Sequence, residues 1–191
     1  MEPEIRDAPP IEIDERTLLE RCLAGDRLSF EALAAPHLAT ARSFAARLLG
    51  NLDDAEDAVQ DALLKAWRGL SGYHGRKGSF RGWFLRIVFN QCTDTRRRAE
   101  ARRRHESAVP QPASSAPGAR LEQRELLARV HAAMDTLPAK QRAALHLRVT
   151  DEMDYREIGE VLKLTPASAR VYVVRARAVL RELLGPEVFG R

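Results

Sequence analysis

Residues 78–104 read GSFRGWFLRIVFNQCTDTRRRAEARRR. The front of this stretch is aromatic and aliphatic (Phe80, Trp83, Phe84, Ile87, Val88, Phe89). The back is arginine: Arg96, Arg97, Arg98, Arg102, Arg103 and Arg104. Between Arg76 and Arg104, ten basic residues stand against two acids, Asp94 and Glu100. Wound as one helix at about 100° per residue, Phe80, Phe84, Ile87, Val88 and Gln91 share one side, and Trp83, Arg86, Asn90 and Arg97 share a neighbouring one. The first side packs inward. The second presents an indole, two guanidinium groups and a carboxamide, which are the groups that grip phosphates and stack on unpaired bases. An amphipathic core helix with a solvated basic tail has the same composition, so the flanking sequence has to decide.

Immediately upstream, Ser71–Ser79 (SGYHGRKGS) places three glycines among polar residues and predicts a loop. It lacks the spacing of a nucleotide-phosphate cradle. Before it, Leu52–Leu70 carries an apolar stripe of Ala55, Ala58, Val59, Ala62, Leu63, Ala66, Trp67 and Leu70, and Asp53 with Glu56 predicts a capping box. The opposite side shows Asp57, Gln60, Asp61 and Leu64. A leucine ringed by short acids suits a protein partner with a basic, partly apolar face; a merely solvated acidic face is the alternative. Further upstream, Phe30 to Leu49 repeats apolar residues for about five turns, with a break expected at Pro36 and an end at Gly50. Asp26 is placed to cap it, and His37 falls on its apolar stripe as a packed residue. Thr17–Gly25 predicts a short helix, and residues 1–12, with three prolines among acids, a loose leader.

Downstream, His105–Ala119 (HESAVPQPASSAPGA) has no periodicity and predicts a flexible linker. Its extended reach is about 50 Å, the length of about 15 base pairs. A second helical unit follows. Leu121, Leu126, Leu127, Val130 and Met134 mark a helix ending before Pro138, which sits in the first turn of the next, Ala139–Val149. Asp154 and Glu157 then form a capping box on YREIGEVL, with Tyr155, Ile158, Val161 and Leu162 inward. After the turn Lys163–Leu164, Thr165 is the N-cap and Pro166 the first residue of a last helix that buries Ala169, Val173, Ala176, Leu180 and Leu183. Its outer side carries Arg170, Arg175, Arg177 and Arg181. This is helix-turn-helix spacing with a basic second helix; an ordinary helical hairpin with a basic face is the bland alternative. The fold class is therefore all-α: two small helical domains joined by a flexible linker, the second a helix-turn-helix. The boundaries are 1–12 leader, 13–104 first domain, 105–119 linker and 120–187 second domain.

The totals agree. A 191-residue chain with 45% hydrophobic and 30% charged residues is globular rather than disordered. The net charge is only +4, but seven acids crowd residues 1–20 while the basic residues collect later, which points to a polyanionic partner. Cys22 and Cys92 lie far apart with no CxxC or Cys/His cluster, so buried free thiols are expected and neither a metal site nor a cofactor. The histidines form no metal or catalytic pattern, and no catalytic residue is assigned. No run of eighteen apolar residues is present, so membrane insertion is not expected and a cytoplasmic location is.

In this order the blocks GDRLSFEAL (Gly25–Leu33), LDDAEDAVQDALLKAWRGL (Leu52–Leu70), SFRGWFLRIVFNQCTDTRRR (Ser79–Arg98) and Leu137–Leu183 resemble the extracytoplasmic-function group of bacterial RNA polymerase sigma factors, which contain only regions two and four. The resemblance covers most of residues 17–184. It implies a non-enzymatic alternative-type sigma factor that binds core RNA polymerase, recognises minus-ten and minus-thirty-five promoter elements and promotes strand opening. It implies polymerase docking through Asp57, Gln60, Asp61 and Leu64. Minus-ten contacts would come from Tyr73, His74, Arg76, Lys77, Ser79, Trp83, Arg86, Asn90 and Arg97, the loop receiving a flipped base. Minus-thirty-five contacts would come from Thr165, Ser168, Arg170, Val171, Val174 and Arg175. An anti-sigma factor is a common partner in that family, although no residue of this sequence identifies one. Three positions depart from the family pattern: Lys163 stands where glycine is usual in the turn, Tyr172 where a basic residue is frequent, and Ser168-Ala169 where threonine-valine is frequent. They bear on which minus-thirty-five sequence is read rather than on the mode of binding.

Energetics favour a polymerase-dependent role. Opening about ten base steps costs on the order of 14 kcal/mol, whereas each stacked base returns ~1–3 kcal/mol. One or two aromatic side chains can capture a base but cannot hold a bubble open. Two rival functions make different demands. A stand-alone helix-turn-helix regulator uses residues 121–184 and leaves the first hundred without a task. A small nuclease or DNA-modifying enzyme needs a convergent carboxylate or histidine cluster.

Overall fold

The computed structural model describes residues 14–73, 79–105 and 121–185. The leader 1–12, the loop centre 74–78 with His74, Arg76 and Lys77, the linker from 106 to 119 and the last residues of the second domain lie outside them. Among the described residues the regular elements are all helical: α1 Glu15–Leu23, α2 Arg27–Ala34, α3 Leu38–Leu49, α4 Leu52–Gly69, α5 Phe80–His105, α6 Leu121–Asp135, α7 Ala139–Val149, α8 Tyr155–Leu162 and α9 Pro166–Leu184. They form two compact units, one ending at Pro36 and the other beginning at His37.

In the first unit, α1 and α2 pack on each other as a helical hairpin. Both starts are capped by aspartate. The Asp14 carboxylate accepts from the Thr17 amide at 2.6 Å, and Asp26 accepts from the Leu28 and Ser29 amides and the Ser29 hydroxyl. These bonds to the charged form hold both carboxyls below the usual range. The break expected at Pro36 is present: α2 stops at Ala34, a 3-10 turn covers Ala35–His37, and α3 begins at Leu38.

The second unit has two helical groups. In the first, α5 packs on α3 and α4. Phe44 of α3 and Phe80, Phe84, Leu85 and Val88 of α5 are completely buried, with the Phe80 and Phe84 rings stacked at 6.1 Å. Each such side chain contributes roughly 1.5–3 kcal/mol by burial. His37 lies against Phe80 with ring centroids 5.8 Å apart, as a packed histidine. In the second group, α9 packs on α6, α7 and α8. The two groups also touch: α3 meets α7 and α5 meets α8.

Several local expectations need correction. The cap of α4 is Asn51, not Asp53: its extended backbone lets its side-chain oxygen accept from the Asp53 amide at 2.9 Å. Glu56, expected to close a capping box, instead accepts from Arg42 of α3 at 2.8 Å. At the end of α9 it is Leu184, not Leu183, that is buried; Leu183 is half exposed. Leu184 continues the row Val173, Ala176, Leu180 at the three- and four-residue steps that one helix face repeats. In α6, Leu126 and Leu127 remain exposed, and burial begins at Ala133 and Met134. Pro138 is the N-cap of α7, one residue before the first turn.

Candidate functional site

The outer face of α4 matches the expected partition. Ala55, Ala58, Val59, Ala62 and Ala66 are buried, while Asp57, Gln60, Asp61 and Leu64 are exposed. Asp61 is also anchored. The buried side chain of Gln91 on α5 donates from its amide nitrogen to the Asp61 carboxylate at 2.6 Å and accepts from the Lys65 ammonium. A buried carboxamide satisfied on both ends ties the acidic face to the basic helix.

On α5, Trp83 and Arg86 are half-buried, whereas Asn90 and Arg97 are exposed, all on one flank as the helical angle requires. The indole is not isolated. Its ring lies 5.1 Å from Tyr73 and 5.7 Å from Phe80, and Tyr73 meets Phe80 edge-on at 6.0 Å. An aromatic cluster thus joins the end of the α4 segment to the start of α5, on either side of the glycine-rich loop. Ser79 is exposed and its hydroxyl accepts from the Gly82 amide at 3.2 Å, satisfying one of the open donors of the α5 start.

The α8–α9 pair has the helix-turn-helix plan. Asp154 and Glu157 form the reciprocal capping box, with both bonds at 2.8 Å. Gly159 is where the turn comes closest: a Cβ there would stand 2.6 Å from the Leu164 carbonyl oxygen. Lys163 occupies the left-handed region at φ 53, ψ 58, the conformation that glycine would adopt more cheaply. Thr165 caps α9: its hydroxyl oxygen accepts from the Ser168 amide at 3.1 Å and donates to the Ser168 hydroxyl. Ala169, Val173 and Ala176 are buried, and Arg170, Val171, Val174 and Arg175 are exposed. The outer face therefore combines guanidinium and isopropyl groups, with the two valines between the two arginines.

Four residues that sequence reasoning did not single out join the two helical groups. Arg142 of α7 is 1% exposed. It donates to the Asp135 carboxylate at 2.7 Å, to the carbonyls of Asp135 and Leu137, and, at 3.4 Å, to the carbonyl of Leu48 on α3. His146 stacks on Phe44 of α3 with centroids 5.7 Å apart, and its Nε2 lies 3.6 Å from the Asp151 carboxylate. Arg81 of α5 donates to the Asp151 carbonyl at 3.3 Å and stands 3.9 Å from its carboxylate. Burial pushes the His146 imidazole down to about 4, with Arg47 adding to it, and pushes the Asp151 carboxyl up, with Arg81 opposing. The proximity of Asp151 works against the shift of His146, but the imidazole remains neutral at neutral pH. The only trace of this seam in the sequence is Arg142 in front of the apolar run Ala143–Leu147, a position that helical periodicity does not distinguish from surface.

Cys22 and Cys92 are buried free thiols, and burial pushes Cys92 up to about 12, so it is an inert thiol rather than a nucleophile. Among the described residues no group of histidine, cysteine and acidic side chains could hold a metal ion, and no helix is long and apolar enough to cross a membrane.

Comparison with known proteins follows the same division. The Sigma-70 region 2 family matches residues 33–103 and the Sigma-70, region 4 family matches residues 127–180. The ECF RNA polymerase sigma factor SigM of Mycobacterium tuberculosis (strain ATCC 25618 / H37Rv) is 32% identical over 174 residues, covering 91% of this chain and 86% of SigM. The ECF RNA polymerase sigma factor SigE of Mycolicibacterium smegmatis is 32% identical over 163 residues, 82% of this chain; the chain spans 62% of SigE. Among solved structures, the complex of the sigma factor RpoE with the anti-sigma factor NepR from Bartonella quintana matches with a TM-score of 0.67 and 25% identity, covering 82% of this chain and 97% of that one. The complex of CnrH with the cytosolic domain of CnrY matches with a TM-score of 0.65 and 28% identity, over 89% and 96%. Fold and matches together define a transcription initiation factor of the sigma-70 class built from regions two and four. Within that class, the chain belongs to the extracytoplasmic-function group of RNA polymerase sigma factors. A stand-alone helix-turn-helix regulator is not favoured, because the first half of the chain carries a sigma region of its own.

Proposed function

We propose that this chain is an alternative sigma factor that docks on core RNA polymerase through α4, captures an unpaired minus-ten base with the start of α5, and reads the minus-thirty-five duplex with α9. The observation that carries the reading is the outer face of α9, where Arg170, Val171, Val174 and Arg175 stand exposed behind a capped turn. Guanidinium groups suit phosphates and guanine edges, and isopropyl groups suit thymine methyls, in a major groove that admits one helix. Thr165 and Ser168 sit at the helix start, where amides and hydroxyls can meet a phosphate.

On the first half of the chain, Asp57, Gln60 and Asp61 offer acceptors around the exposed Leu64, a surface for a basic, partly apolar polymerase element. Tyr73 and Trp83 offer stacking area and Arg86, Asn90 and Arg97 polar contacts for a single strand. His74, Arg76, Lys77 and Ser79 belong to the same proposed minus-ten set. The domain limits 13–104 and 120–187, with a tethering linker between, belong to this reading. So do the absence of any catalytic role and a cytoplasmic place of work beside the polymerase. An anti-sigma partner is proposed from the solved relative RpoE, which is bound to the anti-sigma factor NepR.

The test is transcription from a genomic DNA library by core polymerase with and without the purified chain. Discrete new start sites that share a two-part upstream signature are the expected result. Equal transcript profiles would reject the reading.

A further inference from the structure

We propose that Gln91 is a positioning residue of the polymerase-docking face: its carboxamide stands between Asp61 and Lys65 of α4 and keeps the Asp61 carboxylate from capture by the lysine of its own helix. The proposal rests on the docking role of α4 stated above. Asp61 and Lys65 are four residues apart, and an acid four places before a lysine is the favoured order for an ion pair along a helix. Both residues are exposed, so nothing in the packing prevents their side chains from meeting. Elsewhere the chain closes pairs at this spacing even in the less favoured order. Arg16–Glu20, Arg27–Glu31, Arg96–Glu100 and Arg156–Glu160 stand at 3.2–3.4 Å. Asp61 and Lys65 form no such pair among the described residues; each bonds to Gln91 instead.

The group that separates them comes from another helix. Gln91 sits where α5 packs on α4 and is 2% exposed. Its Nε2 donates to Asp61 Oδ2 at 2.6 Å, and its Oε1 accepts from the Lys65 ammonium. A carboxamide carries a donor and an acceptor side by side and has no charge. It can therefore satisfy an anion and a cation together without neutralising either. A carboxylate in its place would hold only the lysine, and an ammonium only the aspartate. Asp61 Oδ1 keeps no partner among the described residues, on the face that also carries Asp57, Gln60 and Leu64. The carboxylate is thus held in one orientation and stays available to a basic partner. Ordering it before the encounter removes part of the cost of binding.

Equilibrium binding of the full chain to core polymerase tests this as a double-mutant cycle between residues 91 and 65. Gln91→Met keeps a long unbranched side chain and removes both polar atoms. Its two partners are exposed, so water can replace the lost bonds. With Lys65 in place the change should weaken polymerase binding about two- to fivefold, because the pair that then closes competes with the polymerase for Asp61. In a Lys65→Ala chain the same change should have little effect, since no ammonium is left to capture the acid. Circular dichroism and thermal unfolding check that each chain is folded. In the unaltered chain, the Gln91 side-chain amide protons should exchange slowly with solvent by nuclear magnetic resonance; fast exchange would overturn the proposal without any variant. No loss beside Lys65, or a loss of equal size in both backgrounds, would leave Gln91 a packing residue and overturn its spacer role. Asp61→Asn separates the two readings: weaker binding supports docking through this carboxylate, and unchanged binding would overturn that docking role and the proposal with it.

Discussion

The two arginine-bearing helices are built differently. On α5 the aromatic and polar residues proposed for DNA emerge gradually: Trp83 and Arg86 are half-buried, Trp83 leans on Tyr73 and Phe80, and only Asn90 and Arg97 are fully outside. On α9 the change is sharp, with Ala169, Val173 and Ala176 inside and Arg170, Val171, Val174 and Arg175 outside. A pre-formed duplex offers edges and phosphates to a helix that needs no rearrangement. An unpaired base offers a face that exists only after melting, and a partly packed indole gains by stacking on it once strands part. The difference in packing thus parallels a difference in when each helix acts.

The largest expected effect tests what both helices depend on, the polymerase. Gln60→Ala with Asp61→Lys should abolish core-polymerase pull-down with helicity unchanged by circular dichroism. The second change also leaves the Gln91 amide facing an ammonium instead of a carboxylate. Undiminished pull-down would remove α4 from the docking surface. Next, Gly159→Ala should separate the two halves: its methyl would collide with the Leu164 carbonyl. Overpacking against backbone costs about 3 kcal/mol, so duplex binding and thermal stability should fall while polymerase binding through α4 persists. Equal duplex affinity would show that the turn relaxes freely.

The comparison itself is tested by Trp83→Ala against Arg170→Ala or Arg175→Ala. Loss of the indole should leave closed complexes intact and slow opening by the equivalent of ~1–3 kcal/mol, and an artificial minus-ten bubble should restore most of it. Loss of a guanidinium should weaken closed binding by ~1–3 kcal/mol at one base position, or lower the salt slope by about 0.9, with no rescue by the bubble. Permanganate footprinting beside filter binding separates these outcomes. If both variants weaken closed binding alike, Trp83 is a packing residue of the aromatic cluster.

The seam has a pH signature. His146 is pushed down to about 4 from an ordinary value of 6.5, so between these values the unfolded chain binds more protons than the folded one. Its contribution is complete above about 6.5 and is lost as pH falls toward 4, by at most about 3 kcal/mol. Asp151, pushed up by burial, slopes the other way. Thermal unfolding at pH 5 and pH 7 should therefore differ less in His146→Phe than in wild type; an unchanged difference would place the titration elsewhere. The smallest effect is expected at Lys163→Gly. Relief of the left-handed backbone is worth about 1–2 kcal/mol and the added freedom of the unfolded chain takes back about 0.4–1 kcal/mol. A rise in melting temperature of a few degrees should follow, and a fall would mean that the lysine side chain holds the turn.

Most of the architecture was legible in the sequence because its signals are local. Helix stripes repeat every three or four residues. The Pro36 break, the Gly50 stop, the Asp154–Glu157 box and the Thr165 cap each involve residues no more than a few positions apart. The outward sets on α4 and α9 followed from the same periodicity. Where a neighbouring element competed, local reading failed. Glu56 turned from its own helix start to Arg42, fourteen residues away in the chain, and Asn51 took the cap. Tertiary structure alone decided that Gln91 would hold Asp61 and Lys65 together. It alone decided that Trp83 would share its ring with Tyr73, and that an arginine and a histidine on α7 would be buried against α3. A buried polar side chain is tolerated only where distant segments supply its partners, and those partners are set by packing rather than by any spacing along the chain.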